Sequence, residues 1–575
     1  MPGFFISNKK IKIELHNMYP ENCKAESIEQ KKQTIMRNTL DKFMMDKAFD
    51  EDNQYIYILD GVLLNKKILF KKYKVDNVEQ LIKILYELNG ETYFKEFRGS
   101  FSGALFDKGK KKWIVFTNQI GDHPIFYYFR SNYFYVGSQV NYVIDACNVS
   151  NEKLTFDESA AYQMLTFAFM VDNSTFAKEI KRLRGGTYLV FCDGIMQIKE
   201  YFTFHKHQNR FKNISETELI ETIDQGFKKA VKLEYEKDDE YNYKHLCDLS
   251  GGLDSRMNMW VAHEISLRHM QCLTYCQANY LDEIIAKEIA QYWNDELLVK
   301  PLDDVSFMYD IDKIIQMNGG LSLYAGITGG MRMLESLNQN IYGVEHTGMI
   351  GDVVVGSFLL SKKNGIERYP SGRYSEKLIS HLPKAVCDYH KAFDDEEIYL
   401  MYVRCFHGAV NTHLIRQNYT EVASPFLDVD FLQLCLDIPA DKRMKHKLYK
   451  KWIISKYPEA AKYRWEKTGA LITESRTVGR LRRLVIKGPQ KLMRMMGKDY
   501  LIHKGMNPLD YWLKKNQKLQ RYLDMYEEGC LASIKKEVTP KLYEDMRNLY
   551  ISGNVFEKSM VITVLGSFKL YLNRL

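Results

Sequence analysis

The sequence contains little proline and no long apolar run. Only 12 of its 575 residues are proline and 34 are glycine, which excludes a collagen-like or low-complexity chain. No apolar stretch reaches the roughly 18 residues that a membrane-spanning helix needs, and the first residues lack a basic segment followed by an apolar core. We therefore expect a globular, cytoplasmic protein without membrane insertion.

The ten cysteines are scattered singly, without the C-x-x-C pairs that structural zinc sites usually contain, and we expect them to be reduced thiols. The net charge of +8 comes from one stretch, Arg476 to Lys498, which holds eight basic residues and no acidic one. Such a stretch can bind an anionic partner, but it is more often a solvated face. We do not expect a nucleic-acid partner.

A chain of this length exceeds a single core and predicts two or three domains. Up to about residue 205, short alternating or apolar runs separated by turns predict strands. These runs are 54–61, 101–107, 111–118, 124–129, 132–138, 186–194 and 195–202. Residues 76–90 predict a helix among them, and the polar segment 204–218 predicts a linker. We place the domains at 1–205 and 215–575.

Beyond the linker, an amphipathic helix is followed by alternating strands and helices. A strand at 244–249 runs into a glycine-rich turn and a helix at 255–266, and a strand at 271–276 precedes a helix at 282–294. This order predicts a parallel sheet with crossover helices. From about residue 375 the pattern is largely helical.

The most informative motif is a six-residue loop between the first parallel strand and its helix, where open α/β sheets bind ligands. It consists of Ser250, Gly251, Gly252, Leu253, Asp254 and Ser255. Two glycines let the backbone approach a phosphate, while the helix N-terminus and two serine hydroxyls supply donors. A carboxylate beside phosphate requires a cation, so Asp254 predicts Mg²⁺. A structural turn with an incidental aspartate is the alternative.

No lysine follows the glycines, so the loop is not the G-x-x-x-x-G-K-S/T phosphate-binding loop of kinases and motor proteins. SGGLDS instead resembles the loop of the ATP pyrophosphatase class, which cleaves ATP between the α- and β-phosphates. Around it, the chain resembles the asparagine synthetase family, including its β-lactam and macrolactam synthetase relatives. The segments that carry this resemblance are LDGVLLN, DNVEQLIKILYELNG, FRGSFSGALFD, IGDHPIFYY, YFYVGSQ, NSTFAKEIKRLRGGTYLVF, HTGMIGDVVVGSF and ASPFLDVDFLQLCLDIPADKR.

The resemblance implies an α/β protein with an N-terminal, Ntn-hydrolase-like αββα sandwich. A parallel-sheet ATP pyrophosphatase domain with a largely helical C-terminal part would follow. It implies ATP and Mg²⁺ as cofactors. Ser250, Gly251, Gly252, Asp254 and Ser255 would surround the pyrophosphate and the metal.

Further residues take roles from the same resemblance. Asp352 would be the second Mg²⁺ carboxylate, and Leu273, Thr274 and Tyr275 would lie near adenine. Lys467 would be catalytic, because its charge could offset the negative charge on the attacked carbonyl. Asp352 could instead be an exposed loop acid, and Lys467 a solvated surface lysine. Leu273, Thr274 and Tyr275 could instead be ordinary core residues of a strand.

The chain also departs from the family. Glutamine-using members carry a nucleophilic cysteine at position 2, where this chain has Pro2, and the first cysteine is Cys23. Asn118 and Gln119 replace the acidic and basic residues that the family places before Gly121. We therefore expect an inactive glutaminase domain.

In the glycine-rich loop, Met349 stands where glutamine-using members have glutamate, and Val353 follows Asp352 where an acid is usual. Both differences argue against free aspartate as the substrate. We expect a ligase that adenylates a small-molecule or peptide carboxylate and transfers the acyl group to an amine, in a chain that could form a homodimer. The alternatives are an asparagine synthetase fed by ammonia or glutamine, and a catalytically silent binding or regulatory module.

Overall fold

A computed structural model of the chain describes residues 2–207, 209–265, 269–326, 330–359, 369, 372–474 and 503–572. The basic stretch 476–498 lies outside these residues, so its role stays a prediction. Among the described helices, none combines the length and the apolar character needed to cross a membrane. All ten cysteines are free thiols, as expected.

The first 200 residues form two antiparallel sheets. The strands are β1 Gly3–Ser7, β2 Cys23–Ser27, β3 Thr34–Leu40, β4 Ala48–Glu51, β5 Tyr55–Leu63, β6 Gly99–Asp107, β7 Lys112–Thr117, β8 Phe126–Arg130, β9 Tyr133–Gly137, β10 Lys181–Arg182, β11 Thr187–Cys192 and β12 Ile195–Glu200. One sheet has the order β10-β8-β9-β1-β3-β2 and the other β12-β11-β7-β6-β5-β4. All seven predicted strands of this half are confirmed.

The two sheets pack face to face, with helices on both outer surfaces. Phe4 and Ile6 of β1 share one apolar cluster with Ile56 and Ile58 of β5, as the period-2 alternation of strands requires. The helices of this half are α1 Lys66–Tyr73, α2 Val78–Asn89, α3 Val140–Val149 and α4 Glu158–Phe167. Helices α1 and α2 cover the second sheet, and α3 and α4 cover the first. The predicted αββα sandwich is confirmed.

The second half is built on a five-stranded parallel sheet. Its strands are β13 Lys244–Asp248, β14 Met270–Cys276, β15 Glu296–Pro301, β16 Tyr342–His346 and β17 Val422–Ala423, in the order β15-β14-β13-β16-β17. Every neighbouring pair is parallel. The carboxyl ends of β13, β14 and β16 therefore meet at one edge of the sheet.

Helices account for most of the remaining described chain. They are α5 Glu216–Glu240, α6 Leu253–Glu264, α7 Leu281–Trp293, α8 Ile311–Asn318, α9 Met331–Ser336, α10 Lys384–Asp388, α11 Glu396–Leu400, α12 His413–Arg416, α13 Val429–Asp437, α14 Ala440–Arg443, α15 Lys447–Lys456, α16 Leu509–Lys515, α17 Gln517–Ile534, α18 Pro540–Ser552 and α19 Val555–Tyr571. A capping box between Ser215 and Glu218 fixes the start of α5. The largely helical character after residue 375 is confirmed, and the domain boundary near residue 210 stays a prediction.

Candidate active site

The six-residue loop joins β13 to α6 at the carboxyl edge of the parallel sheet. Strand β13 ends at Asp248, and α6 begins at Leu253 with Gly252 in an extended conformation before it. Leu249 donates its N–H to the carbonyl oxygen of Leu273 at 2.9 Å, which holds the loop against β14. The loop therefore opens where crossover sheets place their ligand sites.

Two serine hydroxyls organise the loop from within. Ser255 Oγ accepts the N–H of Ser250 at 3.1 Å, and Ser250 Oγ accepts the N–H of Gly252 at 3.1 Å. The two hydroxyl oxygens are 2.9 Å apart, so one hydroxyl donates to the other. The second hydroxyl proton remains available to a bound anion.

Gly251 faces away from the loop opening. Its N–H donates to Asp282 Oδ1 at 2.8 Å, and a Cβ at this position would lie 2.8 Å from the Cβ of Glu466. Only glycine fits such a close approach. Burial, followed by the nearby charge of Glu466, raises the pKa of Asp282 to about 6. We had not identified Asp282 from the sequence.

A second loop, residues 347–352 after β16, lies directly on the first. A Cβ on Gly348 would come within 2.3 Å of the backbone nitrogen of Ser255, and one on Gly351 within 2.5 Å of the carboxyl carbon of Asp254. Between these glycines, Ile350 has a φ of 59°, which is unusual for a β-branched residue. The glycines thus permit the contact that brings Asp352 beside Asp254.

Asp254 and Asp352 are neighbours, as the resemblance implied. The N–H of Asp352 donates to Asp254 Oδ2 at 2.8 Å, and the hydroxyl of Tyr449 donates to Oδ1 at 3.0 Å. Burial, reinforced by the charge of Asp352, raises the pKa of Asp254 to about 7. Burial and the neighbouring carboxylate make the ionisation of Asp254 costly. A bound divalent cation would offset this cost, so the pair fits Mg²⁺.

Lys467 lies close to this pair. Its Nζ is 3.6 Å from Asp352 Oδ2, and its side chain is 50% exposed. The neighbouring Glu466 donates its N–H to the carbonyl oxygen of Gly251 at 3.1 Å, which ties the lysine-bearing segment to the loop. Lys467 is therefore near both carboxylates and accessible to a ligand.

A cavity of about 390 Å³ opens between the two loops and the sheet. Seven of the predicted nucleotide-binding residues line it: Ser250, Gly252, Asp254, Ser255, Leu273, Thr274 and Tyr275. Gly251, Asp352 and Lys467 do not line it. They adjoin it through Asp282, Asp254 and Glu466, all of which are lining residues.

The cavity also contains an ion pair that the sequence did not reveal. Arg416 lies 3.3 Å from Asp248 Oδ2 and also bonds Glu345 and the hydroxyl of Tyr275. Arg416 is therefore fully engaged within the protein. Arg416 lies on a short helix far along the chain from the SGGLDS loop, so no local sequence pattern indicates that it reaches the cavity.

Arg256 is a second residue that we missed. It is fully buried, and its guanidinium donates to the carbonyl oxygens of Gly251 and Arg464, at 3.1 and 2.6 Å. This side chain fastens the loop to the segment that precedes Lys467. The available signal was a charged residue directly after the SGGLDS loop, next to the apolar residues Met257, Met259 and Trp260.

The start of β1 differs from the loop region. Pro2 and Gly3 are buried, and a Cβ on Gly3 would lie 1.8 Å from Ser138 Oγ, which accepts the N–H of Phe4 at 2.8 Å. Asn118 donates to Asp122 Oδ1 at 2.6 Å, and Gln119 to the carbonyl oxygen of Phe97 at 3.1 Å. These polar groups support the backbone.

Parts of the chain are similar to known proteins. Residues 47–202 match the glutamine amidotransferase domain family. The chain is 22% identical over 279 residues to asparagine synthetase [glutamine-hydrolyzing] 1 of Bacillus subtilis, covering 46% of this chain and 42% of that protein. It is 23% identical over 386 residues to a putative asparagine synthetase of Methanocaldococcus jannaschii, covering 65% and 61%.

The chain thus matches less than two thirds of the length of these curated relatives. Among solved structures, it is similar to a glutamine phosphoribosylpyrophosphate amidotransferase from Bacillus subtilis, with 9% identity, a TM-score of 0.26 and coverage of 52% of this chain and 91% of that one. Because this score is low, the fold assignment rests on the strand topology.

Proposed function

We propose that this chain is a member of the asparagine synthetase family and an ATP-dependent ligase that adenylates a carboxylate and transfers the acyl group to an amine. The observation that supports this most is the juxtaposition of Asp254 and Asp352, with the N–H of Asp352 bonded to Asp254 Oδ2 at 2.8 Å beside the serine loop. The similarity to curated asparagine synthetases supports an amidotransferase-type ligase, and the chemistry below is our proposal.

In the first step, a substrate carboxylate oxygen attacks the α-phosphorus of ATP. The bond between the α-phosphorus and the bridging oxygen breaks, and pyrophosphate leaves with its electron pair. Asp254 and Asp352 would hold Mg²⁺, which supplies positive charge against the departing pyrophosphate. The free hydroxyl proton of the Ser250–Ser255 pair and the N-terminus of α6 would bind the same phosphates.

In the second step, the amine nitrogen attacks the carbonyl carbon of the acyl-adenylate. The C–N bond forms, the bond to the AMP oxygen breaks, and the amine loses a proton. Lys467 would stabilise the negative charge that develops on the attacked oxygen. The 3.6 Å separation of its Nζ from Asp352 Oδ2 supports this role.

We propose that the first half supplies no ammonia from glutamine. Pro2 stands at the start of β1 without a thiol, and Asn118 and Gln119 are engaged in bonds to Asp122 and Phe97. The amine would then be ammonia or an amino group of a second substrate. Asparagine formation is the second candidate, because the curated relatives are named asparagine synthetases.

The test is the release of pyrophosphate and AMP from Mg·ATP in the presence of ammonium and a panel of carboxylates that includes aspartate. We expect equal amounts of both products, dependence on one carboxylate, and loss of release in Asp254→Asn. Asp304→Asn, an exposed aspartate paired with Lys300, serves as the matched control. Release of ADP and phosphate, or equal activity of wild type and Asp254→Asn, would contradict the proposal.

A further inference from the structure

A buried cluster of histidines and carboxylates lies on the other face of the parallel sheet, where α5 packs. Asp238 comes from the C-terminal end of α5, His245 from β13 and His346 from the end of β16. Their relative exposures are 0%, 6% and 0%. One ligand atom of each lies within 4.8 Å of the other two.

Asp238 is the centre of this cluster. Its Oδ2 is 2.9 Å from His245 Nδ1 and 2.8 Å from His346 Nε2, and its Oδ1 accepts the N–H of Val344 at 2.8 Å. A Cβ on Gly343 would lie only 2.0 Å from Oδ1. The carboxylate is therefore fixed in orientation by the backbone of β16.

Each histidine also meets a carboxylate on its other side. His346 Nδ1 is 3.5 Å from Glu234 Oε2, and His245 Nε2 is 3.6 Å from Asp239 Oδ1. A neutral imidazole has one N–H donor and one lone pair. Each ring therefore faces two acceptors, and in a neutral ring one lone pair must point at a carboxylate oxygen.

A cation among the three inner atoms removes this conflict without protonating the rings. The lone pairs of His245 Nδ1 and His346 Nε2 then point inward, and their outer N–H groups donate to Asp239 and Glu234. Histidines that bind metal characteristically donate their second N–H to a carboxylate in this way. The two distances from Asp238 Oδ2 to the histidine nitrogens, now 2.9 and 2.8 Å, must lengthen by roughly 0.5 Å to reach tetrahedral spacing around bonds of about 2.0–2.1 Å.

From this geometry we propose that Asp238, His245 and His346 bind a zinc-type divalent cation. Two imidazoles and one carboxylate are a donor set that suits Zn²⁺. Among the residues that the structure describes, no fourth His, Cys, Asp or Glu joins this group, so a water molecule completes the coordination.

The site would stabilise the framework of the loops. β13 leads from His245 to Ser250, and β16 leads from His346 into the loop that carries Asp352. Tyr235 of α5 stacks on His346 with a centroid distance of 3.7 Å. The cation would thus join α5 to the two strands that position the proposed nucleotide site, on the face opposite the cavity lined by Asp248.

The experiment measures metal bound to the full chain. Protein stripped with EDTA is incubated with Zn²⁺, freed of excess metal by gel filtration and analysed by elemental mass spectrometry. We expect about one zinc ion per chain and a higher Tm than that of the stripped protein. Replacement by Co²⁺ should give the visible absorption of tetrahedral cobalt.

Two conservative variants separate metal binding from hydrogen bonding. His245→Asn and His346→Gln place an amide N–H near the original nitrogen, so each keeps a donor to Asp238 but removes an imidazole ligand. Both should fold, as circular dichroism can verify, and lose the zinc. His263→Gln is the matched control, because within the described part of the chain His263 bonds one carboxylate, Asp295, at 2.7 Å.

Two results would overturn the proposal. Folded wild-type protein that retains no zinc and gives no cobalt absorption would show that hydrogen bonds to Asp238, and no metal, hold the cluster together. Zinc that is retained equally by wild type, His245→Asn and His346→Gln would place the metal elsewhere. Should either variant fail to fold, the zinc and cobalt measurements on the wild type still decide the matter.

Discussion

The two halves of the chain use their polar residues in opposite ways. At the start of β1, the side chains of Ser138, Asn118 and Gln119 bond backbone or neighbouring groups and leave little room around Pro2 and Gly3. At the carboxyl edge of the parallel sheet, serines and carboxylates line an open cavity of about 390 Å³. In the first region the polar side chains bond the protein itself, and in the second they face a cavity.

This difference is the basis of our proposal that the first half retains the domain without its glutaminase activity. Residues 47–202 match a glutamine amidotransferase domain, yet Pro2 offers no nucleophile at the start of β1. The second half keeps every residue of the SGGLDS loop. We therefore locate the proposed chemistry in the second half, and the following tests challenge that contrast.

The largest effect on nucleotide binding is expected from Gly348→Ala. Its Cβ would come within 2.3 Å of the Ser255 nitrogen and 2.7 Å of the Asp254 carbonyl carbon, so the two loops must separate. Calorimetry should show that the affinity for Mg·ATP falls by at least about 100-fold, because the preorganised arrangement of the two loops is lost. Gly529→Ala, at a helical glycine with nothing within 4 Å, is the control. Unchanged affinity in Gly348→Ala would remove the second loop from the site.

Lys467→Met should reduce turnover by about 10²- to 10³-fold, because removal of one transition-state donor has that effect in other enzymes. Affinity for Mg·ATP should change little, since the lysine does not line the cavity. Single-turnover AMP formation and calorimetry measure the two quantities. The control is Lys462→Met, an exposed lysine paired with Glu459. An equal fall in affinity and turnover would assign Lys467 to nucleotide binding instead.

Asp254→Asn should raise thermal stability in the absence of metal, by an amount that depends on pH. The pKa of Asp254 is about 7 in the folded protein and roughly 3.9 in the unfolded chain. Between these values the folded state binds more protons, so the free energy of unfolding of the wild type falls as pH rises from about 4 to 7. The stability gain of Asp254→Asn over wild type should therefore be near its maximum at pH 8.

Thermal unfolding in EDTA at pH 4.5 and pH 8 measures this difference, with Asp304→Asn as the control. A gain that is the same at both pH values would mean that Asp254 is not the titrating group. The proposed metal site would then lose support, because the ionisation of Asp254 beside Asp352 would carry no cost for a cation to offset.

The smallest effect concerns Pro2. Pro2→Ala should leave ammonium-dependent AMP formation unchanged, since neither residue supplies a thiol. Glutamine should yield no glutamate with either protein, as measured by a coupled glutamate assay. Glutamate released in step with AMP would show that the first half is active and would contradict the proposal that it supplies no ammonia from glutamine.

Much of the fold could be predicted from the sequence. Period-2 alternation located the strands around Tyr55–Leu63 and Lys112–Thr117, and SGGLDS located the turn between β13 and α6. The strands that were not predicted are β1 to β4 and β10 in the first half and β15, β16 and β17 in the second. Strand β15 is a half-exposed edge, and β17 has only two residues. Strand β16 carries Glu345 and His346, whose polarity concealed a buried strand.

The site was predictable where short-range motifs exist. Asp254 and Asp352 were identified from the resemblance, and the structure places them in contact. Asp282, Arg416 and Tyr449 reach the cavity or the carboxylates only through tertiary packing. The Asp238, His245 and His346 cluster was equally invisible, since His346 lies on a strand far along the chain from Asp238 and His245.

The most direct test of the central claim follows oxygen from the carboxylate. With a carboxylate that supports pyrophosphate release, ¹⁸O-labelled substrate is incubated with Mg·ATP and an amine, and the AMP is analysed by mass spectrometry. Adenylation predicts that one labelled oxygen per turnover appears in AMP, because the C–O bond breaks when the amine attacks. Unlabelled AMP, with the label in inorganic phosphate or retained in the carboxylate, would contradict the account.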